Sequence, residues 1–104
     1  MVLRAGENVY CAEVEAAIYE HPAVYEAAVF GVPHERLGEE VAVCIYPKPG
    51  LAIGFEELQQ HVRERLAGFK VPTVMEIAAA PLPRNASGKI LKRQIRDELV
   101  SARS

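Results

Sequence analysis

Much that would place a chain at first sight is missing from these 104 residues. Cysteine is scarce: Cys11 and Cys44 are the two present, too few for a disulfide framework and without zinc-site spacing. Both are expected as reduced thiols in a cytoplasmic protein. There is no basic excess, since 12 Lys and Arg face 14 Asp and Glu for a net charge of −2, and this argues against a general nucleic-acid binder. No apolar run approaches the ~20 residues that cross a bilayer, so no transmembrane segment is predicted. The apolar start "MVL" is broken by Arg4 and Gly6, unlike a secretory signal. His21, His34 and His61 lack metal-ligand spacing and are placed in turns or on a polar helix side, so no metal is expected. No Ser-His-Asp or Cys-His arrangement, internal repeat or low-complexity tract is legible.

What is present is the composition of one small globular domain, half apolar and a quarter charged. A chain of this size buries roughly 60–70% of its unfolded surface, so its core is modest. "MVLRAGENVY" reads as a strand followed by a Gly–Glu–Asn turn. "CAEVEAAIYE" places Val14, Ala17 and Ile18 on one helical face, and His21–Pro22 should stop that helix. Ala23–Val32 is rich in β-branched and aromatic residues and predicts a strand ended by Pro33, with "PHERLGEE" as a charged loop. Val41–Pro47 reads as a buried strand. Phe55, Leu58, Val62 and Leu66 mark an amphipathic helix closed by Gly68. A third strand is predicted around Thr73–Ile77, and Leu91, Ile95 and Leu99, with Ile90 beside them, mark a last helix. The fold class predicted is α+β: a central three-stranded sheet, an N-terminal β-hairpin and about three flanking helices.

Before the last helix, "PRNASGKI" offers Lys89 in a turn. The segment is not the phosphate loop G-x-x-x-x-G-K-[ST]: Pro83 stands where the first glycine belongs, and Ile90 replaces the hydroxyl residue that holds magnesium. On spacing alone, Asn85, Ser87 and Gly88 are turn residues, Ser87 an N-cap, and Lys89 a solvated cation in the first helical turn. That placement is unfavourable, because the helix dipole disfavours a cation there.

"GENVYCAEVE" near the start and "PLPRNASGKILKRQIRDEL" near the end, joined by "HPAVYEAAVFGVPHERLGEEVAVCIYP" and "RLAGFKVP", together resemble the C-terminal domain of the adenylate-forming enzymes. The wording "GENVY…EVE" and "GKILKRQIR" is most similar to acyl-CoA synthetases that act on fatty or other organic acids. Two departures stand out. Cys11 replaces a proline common after "GENVY", and the family's charged hinge residue would fall just ahead of Met1. The resemblance therefore implies that residues 1–104 are the mobile C-terminal domain of such a ligase, with its large N-terminal domain absent and the isolated chain inactive.

The resemblance also implies site residues. Lys89 matches the lysine that enters the active site when a carboxylate attacks the α-phosphate of ATP, giving acyl-AMP and pyrophosphate. Gly6 and Asn8 match the segment that lines the pantetheine tunnel when CoA displaces AMP; on spacing alone they are only turn residues. Phe69 is either an aromatic near the CoA adenine or the last core residue of its helix. Lys70, Lys92 and Arg93 are either partners for CoA phosphates or a solvated face, and Glu7 and Glu15 are read as structural or surface charges. ATP and CoA are the implied substrates, with Mg2+ in the N-terminal domain and nothing bound tightly here. "PRNASGK" also resembles the context in which a lysine acetyltransferase modifies such lysines. Two alternatives remain: a free-standing module that binds CoA or a carrier protein, and a domain of an adenylating enzyme that loads a carrier protein.

Overall fold

The computed structural model describes residues 1–103. In chain order the elements are β1 (Val2–Arg4), β2 (Glu7–Val9), α1 (Cys11–Tyr19), β3 (Val24–His34), β4 (Gly38–Pro47), α2 (Phe55–Arg63), a 3₁₀ turn (Gly68–Lys70), β5 (Val74–Ile77) and α3 (Lys92–Arg103). The α+β class, the three helices and the hairpin are as the sequence predicts. The three expected strands are β3, β4 and β5, and the hairpin extends them to one five-stranded sheet.

β4 is the organising strand. It pairs antiparallel with β3 along its whole length, from His34↔Gly38 to Val24↔Pro47. Its other edge is shared end to end by two partners, β1 at Arg4↔Gly38 and β5, in parallel, from Ala42↔Val74 to Ile45↔Ile77. Helices cover both faces, which is why β3 and β4 read as continuous apolar runs without alternation. Val29, Val41, Val43 and Ile45 pack with Val14, Ile18, Leu58 and Val62 of α1 and α2. Ala28, Phe30, Val32, Ala42 and Cys44 pack on the opposite face with Leu82 and with Ile95 and Leu99 of α3. Each fully buried Val, Ile or Leu contributes about 1.5–3 kcal/mol, so the two layers carry most of the stability. Burial, reinforced by Glu76 and Glu98, pushes the Cys44 thiol up to about 11.

The expected boundaries differ in four places. Pro33 does not end β3; the strand continues to His34, and only Glu35–Leu37 remain of the charged loop. The reason lies in the phase of the strand. The Ala27 and Val29 N–H groups point away from β4, to the Tyr19 hydroxyl (2.9 Å) and the Glu15 carboxylate (2.8 Å). Pro33 shares that phase, so its missing N–H removes no ladder bond. Arg96 Nε donates to the Gly31 carbonyl (2.7 Å) on the same outer edge, so side chains from α1 and α3 cap an edge strand that would otherwise be open. The hairpin turn is Ala5–Gly6 rather than Gly–Glu–Asn; both have positive φ (51° and 84°), as a two-residue hairpin loop requires, and Glu7 and Asn8 are in β2. The second helix ends at Arg63, not at Gly68: Ala67 is extended, and Gly68 opens the 3₁₀ turn instead. The last helix begins at Lys92, which leaves Ser87 and Lys89 outside it.

One of the histidines also departs from expectation. His61 was expected on the polar side of its helix, but it is buried, and its Nε2–H donates to the Ala17 carbonyl (2.6 Å). His21 is buried beside it in an edge-to-face contact with ring centroids 5.1 Å apart. His21 Nδ1 accepts the Ala23 N–H, which places its proton on Nε2, facing Glu57 at 2.7 Å. Among the described residues, no helix is long and apolar enough to cross a membrane, and no group of three or more His, Cys, Asp or Glu is placed to hold a metal ion.

Candidate functional site

Lys89 is presented by a loop that closes on itself. Arg84 and Ile90 form an antiparallel bridge, and the Leu91 N–H donates to the Pro83 carbonyl (2.8 Å). Within that loop the Asn85 side chain replaces missing backbone partners: Oδ1 accepts the Ser87 N–H (2.9 Å) and the Lys89 N–H (3.0 Å). The Asn85 N–H donates to the Lys89 carbonyl (2.9 Å), and the Gly88 N–H to the Asn85 carbonyl (2.9 Å). Gly88 turns the chain with φ of 84°, a conformation open to glycine without a Cβ penalty. The segment expected as a flexible turn with a helix-capping serine is thus a bonded loop whose lysine side chain projects exposed.

The loop is anchored in the sheet by a residue that sequence reasoning missed. Glu26 of β3 is 5% exposed, a carboxylate in an otherwise apolar strand. Oε1 accepts the Leu82 N–H (3.0 Å), and Oε2 receives both Nε (3.1 Å) and Nη2 of Arg84. Arg84 then reaches the Gly88 carbonyl with Nη1 (2.6 Å). Fifty-eight residues of sequence separate Glu26 from Arg84, so no local pattern reveals the pair.

Lys89 opens on a depression of about 1110 Å³ between the outer edge of β3 and the start of α3, lined also by Tyr19, Arg84, Lys92 and Arg93. Lys92 is not free there: its Nζ is 2.6 Å from Glu15 Oε2, the oxygen that caps Val29. Glu15 is therefore structural, as the sequence reading has it. The other predicted residues gather elsewhere. Gly6 and Asn8 are exposed on the hairpin, and β2 touches the 3₁₀ turn that carries Phe69 and Lys70. Phe69 is half-buried against the α1–α2 core, and the Lys70 ammonium lies 5.6 Å from its ring centroid and 2.5 Å from Glu13. A phosphate arriving at Lys70 or Lys92 would have to displace a carboxylate.

The two groups occupy opposite ends of the sheet. The hairpin tip sits beside the β3–β4 turn, where the Ala5 N–H donates to the Leu37 carbonyl (2.8 Å). The lysine loop is tied to Glu26, near the start of β3. Glu26 and His34 are eight positions apart along the strand. At ~3.3 Å per residue they place the two ends about 25 Å apart along the strand. The domain therefore offers the exposed Lys89 ammonium at one end and an exposed turn with Gly6 at its tip at the other.

These features match a known family. Its model, described as the AMP-binding enzyme C-terminal domain, matches residues 13–89. A rice (Oryza sativa subsp. japonica) protein, 4-coumarate–CoA ligase-like 9, is 45% identical over 95 residues, 91% of this chain and 17% of the relative. A fatty acid–acyl-carrier-protein ligase of Streptomyces coeruleorubidus is 45% identical over 96 residues, 92% of this chain and 18% of its own length. The crystal structure of the Brucella canis acyl-CoA synthetase superposes with a TM-score of 0.90 at 33% identity, covering 99% of this chain and 19% of that one. The chain thus spans about a fifth of the length of the proteins it matches. With most of its residues matched by the family and nearly all of its fold superposed on a synthetase domain, the chain belongs to the AMP-binding enzyme C-terminal domain family.

Proposed function

We propose that this chain acts as the mobile C-terminal domain of an ATP-dependent, AMP-forming acyl-CoA synthetase whose large N-terminal domain holds the acid, the nucleotide and Mg2+. In the first step a carboxylate attacks the α-phosphate of ATP and pyrophosphate leaves. Lys89 brings an ammonium to the phosphate oxygens as charge moves onto them, and holds carboxylate and phosphate in register. In the second step the CoA thiol displaces AMP. The Ala5–Gly6 turn and Asn8 then line the path of the pantetheine arm, with Phe69 and Lys70 on the CoA side, whereas Lys92 lies in the depression beside Lys89. Residues 1–104 supply half of each site and are inactive alone. The setting is cytoplasmic, and acetylation of Lys89 by a lysine acetyltransferase would switch the first step off by removing the charge.

The observation that supports this most is that the lysine loop and the hairpin are tied to opposite ends of β3, about 25 Å apart along the strand. One orientation of a rigid domain cannot bring both to a single reacting centre, so two half-reactions need two orientations. A second reading of the acceptor has its own support, because the Streptomyces relative named for a carrier protein is as similar as the rice relative named for CoA. The test is carboxylate-dependent ATP–pyrophosphate exchange by the product of the complete gene, intact and as Lys89→Ala. Loss of roughly 10²–10³-fold is expected. Exchange at the wild-type rate would overturn the assignment, and comparing CoA with a carrier protein as acceptor decides between the two thiols.

A further inference from the structure

We infer that Glu26, Arg84 and Asn85 form a positioning device for Lys89 that grips the peptide unit immediately before its Cα. The inference rests on the adenylation role proposed for Lys89. A carboxylate is costly in an apolar strand unless it is paired and hydrogen-bonded, and Glu26 is both. Pairing alone would need only two of the Arg84 nitrogens. The third, Nη1, is aimed the other way, at the Gly88 carbonyl (2.6 Å). That carbonyl belongs to the same peptide bond as the Lys89 N–H, which Asn85 Oδ1 holds (3.0 Å). The next carbonyl, that of Lys89 itself, accepts the Asn85 N–H (2.9 Å).

The main chain is therefore fixed on both sides of Lys89 while its side chain stays exposed. With the backbone settled, the reach of the ammonium depends only on the side-chain torsions, and fewer arrangements are lost when it docks on the phosphate. The chain of contacts runs from a buried strand residue through a rigid guanidinium fork to the loop, so the orientation of the lysine is referred to the sheet rather than to the loop. Arginine suits the middle position because its planar fork addresses two acceptors at fixed angles, which an ammonium cannot do. These are positioning residues: they act on the reaction through Lys89.

The experiment measures kcat and KM for ATP–pyrophosphate exchange in the product of the complete gene, and separately the rate of thioester formation from supplied acyl-AMP. The variants are Arg84→Gln, Arg84→Lys and Asn85→Ala, with Lys89→Ala as reference. Misplacing a reacting group by about 1 Å costs up to ~10²-fold. Arg84→Gln and Asn85→Ala are accordingly expected to lower exchange kcat roughly 10- to 100-fold. KM for ATP should hold and acyl-AMP should be consumed at close to the wild-type rate, with Arg84→Lys recovering only part of the loss. Equal loss in both half-reactions would mean general destabilisation and would overturn the inference. So would full exchange activity in Arg84→Gln and Asn85→Ala when Lys89→Ala has none. If Arg84→Gln does not fold because Glu26 is left unpaired, Asn85→Ala decides alone, since it leaves that pair intact. Exchange surviving in Lys89→Ala sinks the adenylation reading itself, and this inference with it.

Discussion

The two ends of the sheet hold their exposed tips by different means. At the hairpin end the fastening is almost entirely main chain: three residue pairs between β1 and β2, the Ala5–Leu37 bond, and one exposed side-chain contact from the Glu39 carboxylate to the Leu3 N–H (3.0 Å). At the other end the main chain supplies the Arg84↔Ile90 bridge and the Gly88–Asn85 turn bond, and side chains add Asn85, Arg84 and the buried Glu26. On the function proposed above, a turn that presents backbone to the thiol arm needs only strand geometry, whereas a loop that delivers one charged atom needs its backbone fixed, and side chains add that here.

Each end can be tested against the other. The largest effect is expected at the lysine itself: acetyl-lysine installed at position 89 should slow adenylation roughly 10²–10³-fold while the fold melts as before. Second is the anchor. Arg84→Ala leaves the buried Glu26 oxygen without its charged partner, and a loss of about 1–3 kcal/mol in urea unfolding is expected. Next comes the hairpin. A Cβ at Gly6 would meet nothing, yet φ is 84°, so Gly6→Ala should cost about 1 kcal/mol of backbone strain and no packing.

Two titrations report on the body between the ends. Glu57 accepts from His21 and from the Gly54 N–H, which holds its carboxyl below the ordinary 4.5. Its contribution is complete above that value and is lost as pH falls through the lower folded one, so Glu57→Gln should flatten the acid limb of the stability curve. Cys44 behaves in the opposite sense. The unfolded thiol ionises near 9.0 and the buried one near 11, so stability falls as pH rises across that interval. At pH 8 a thiol reagent should label half-buried Cys11 and leave Cys44 untouched. Cys44 that stays protected in the Arg84 and Gly6 variants would show that both perturbations remain local.

How far the sequence speaks follows from the range of the interactions involved. Periodicity revealed α1, the core face of α2 and the Ile95–Leu99 stripe of α3, because each rests on neighbours three or four residues away. The apolar run of β4 was legible as buried but not as central, since two of its three partners, β1 and β5, come from distant segments. Pro33 misled because its cost depends on which way its nitrogen faces, a matter of sheet phase. Lys89, Gly6 and Asn8 were singled out through their motifs. Glu26 was not, because a single acidic residue in an apolar strand carries no local signature and its meaning lies with Arg84, 58 residues on. Ser87 looked like a helix cap only because the start of α3 was placed too early.

The central claim is a division of labour between the two ends, and it is tested most directly by a pair of variants in the product of the complete gene. Lys89→Ala and Gly6→Leu would each be measured in ATP–pyrophosphate exchange and in CoA thioester formation from supplied acyl-AMP. The expected result is reciprocal: Lys89→Ala loses exchange and keeps acyl transfer, while Gly6→Leu keeps exchange and loses acyl transfer. Both variants impaired in the same half-reaction would contradict it, and the two ends of the sheet would then serve a single step.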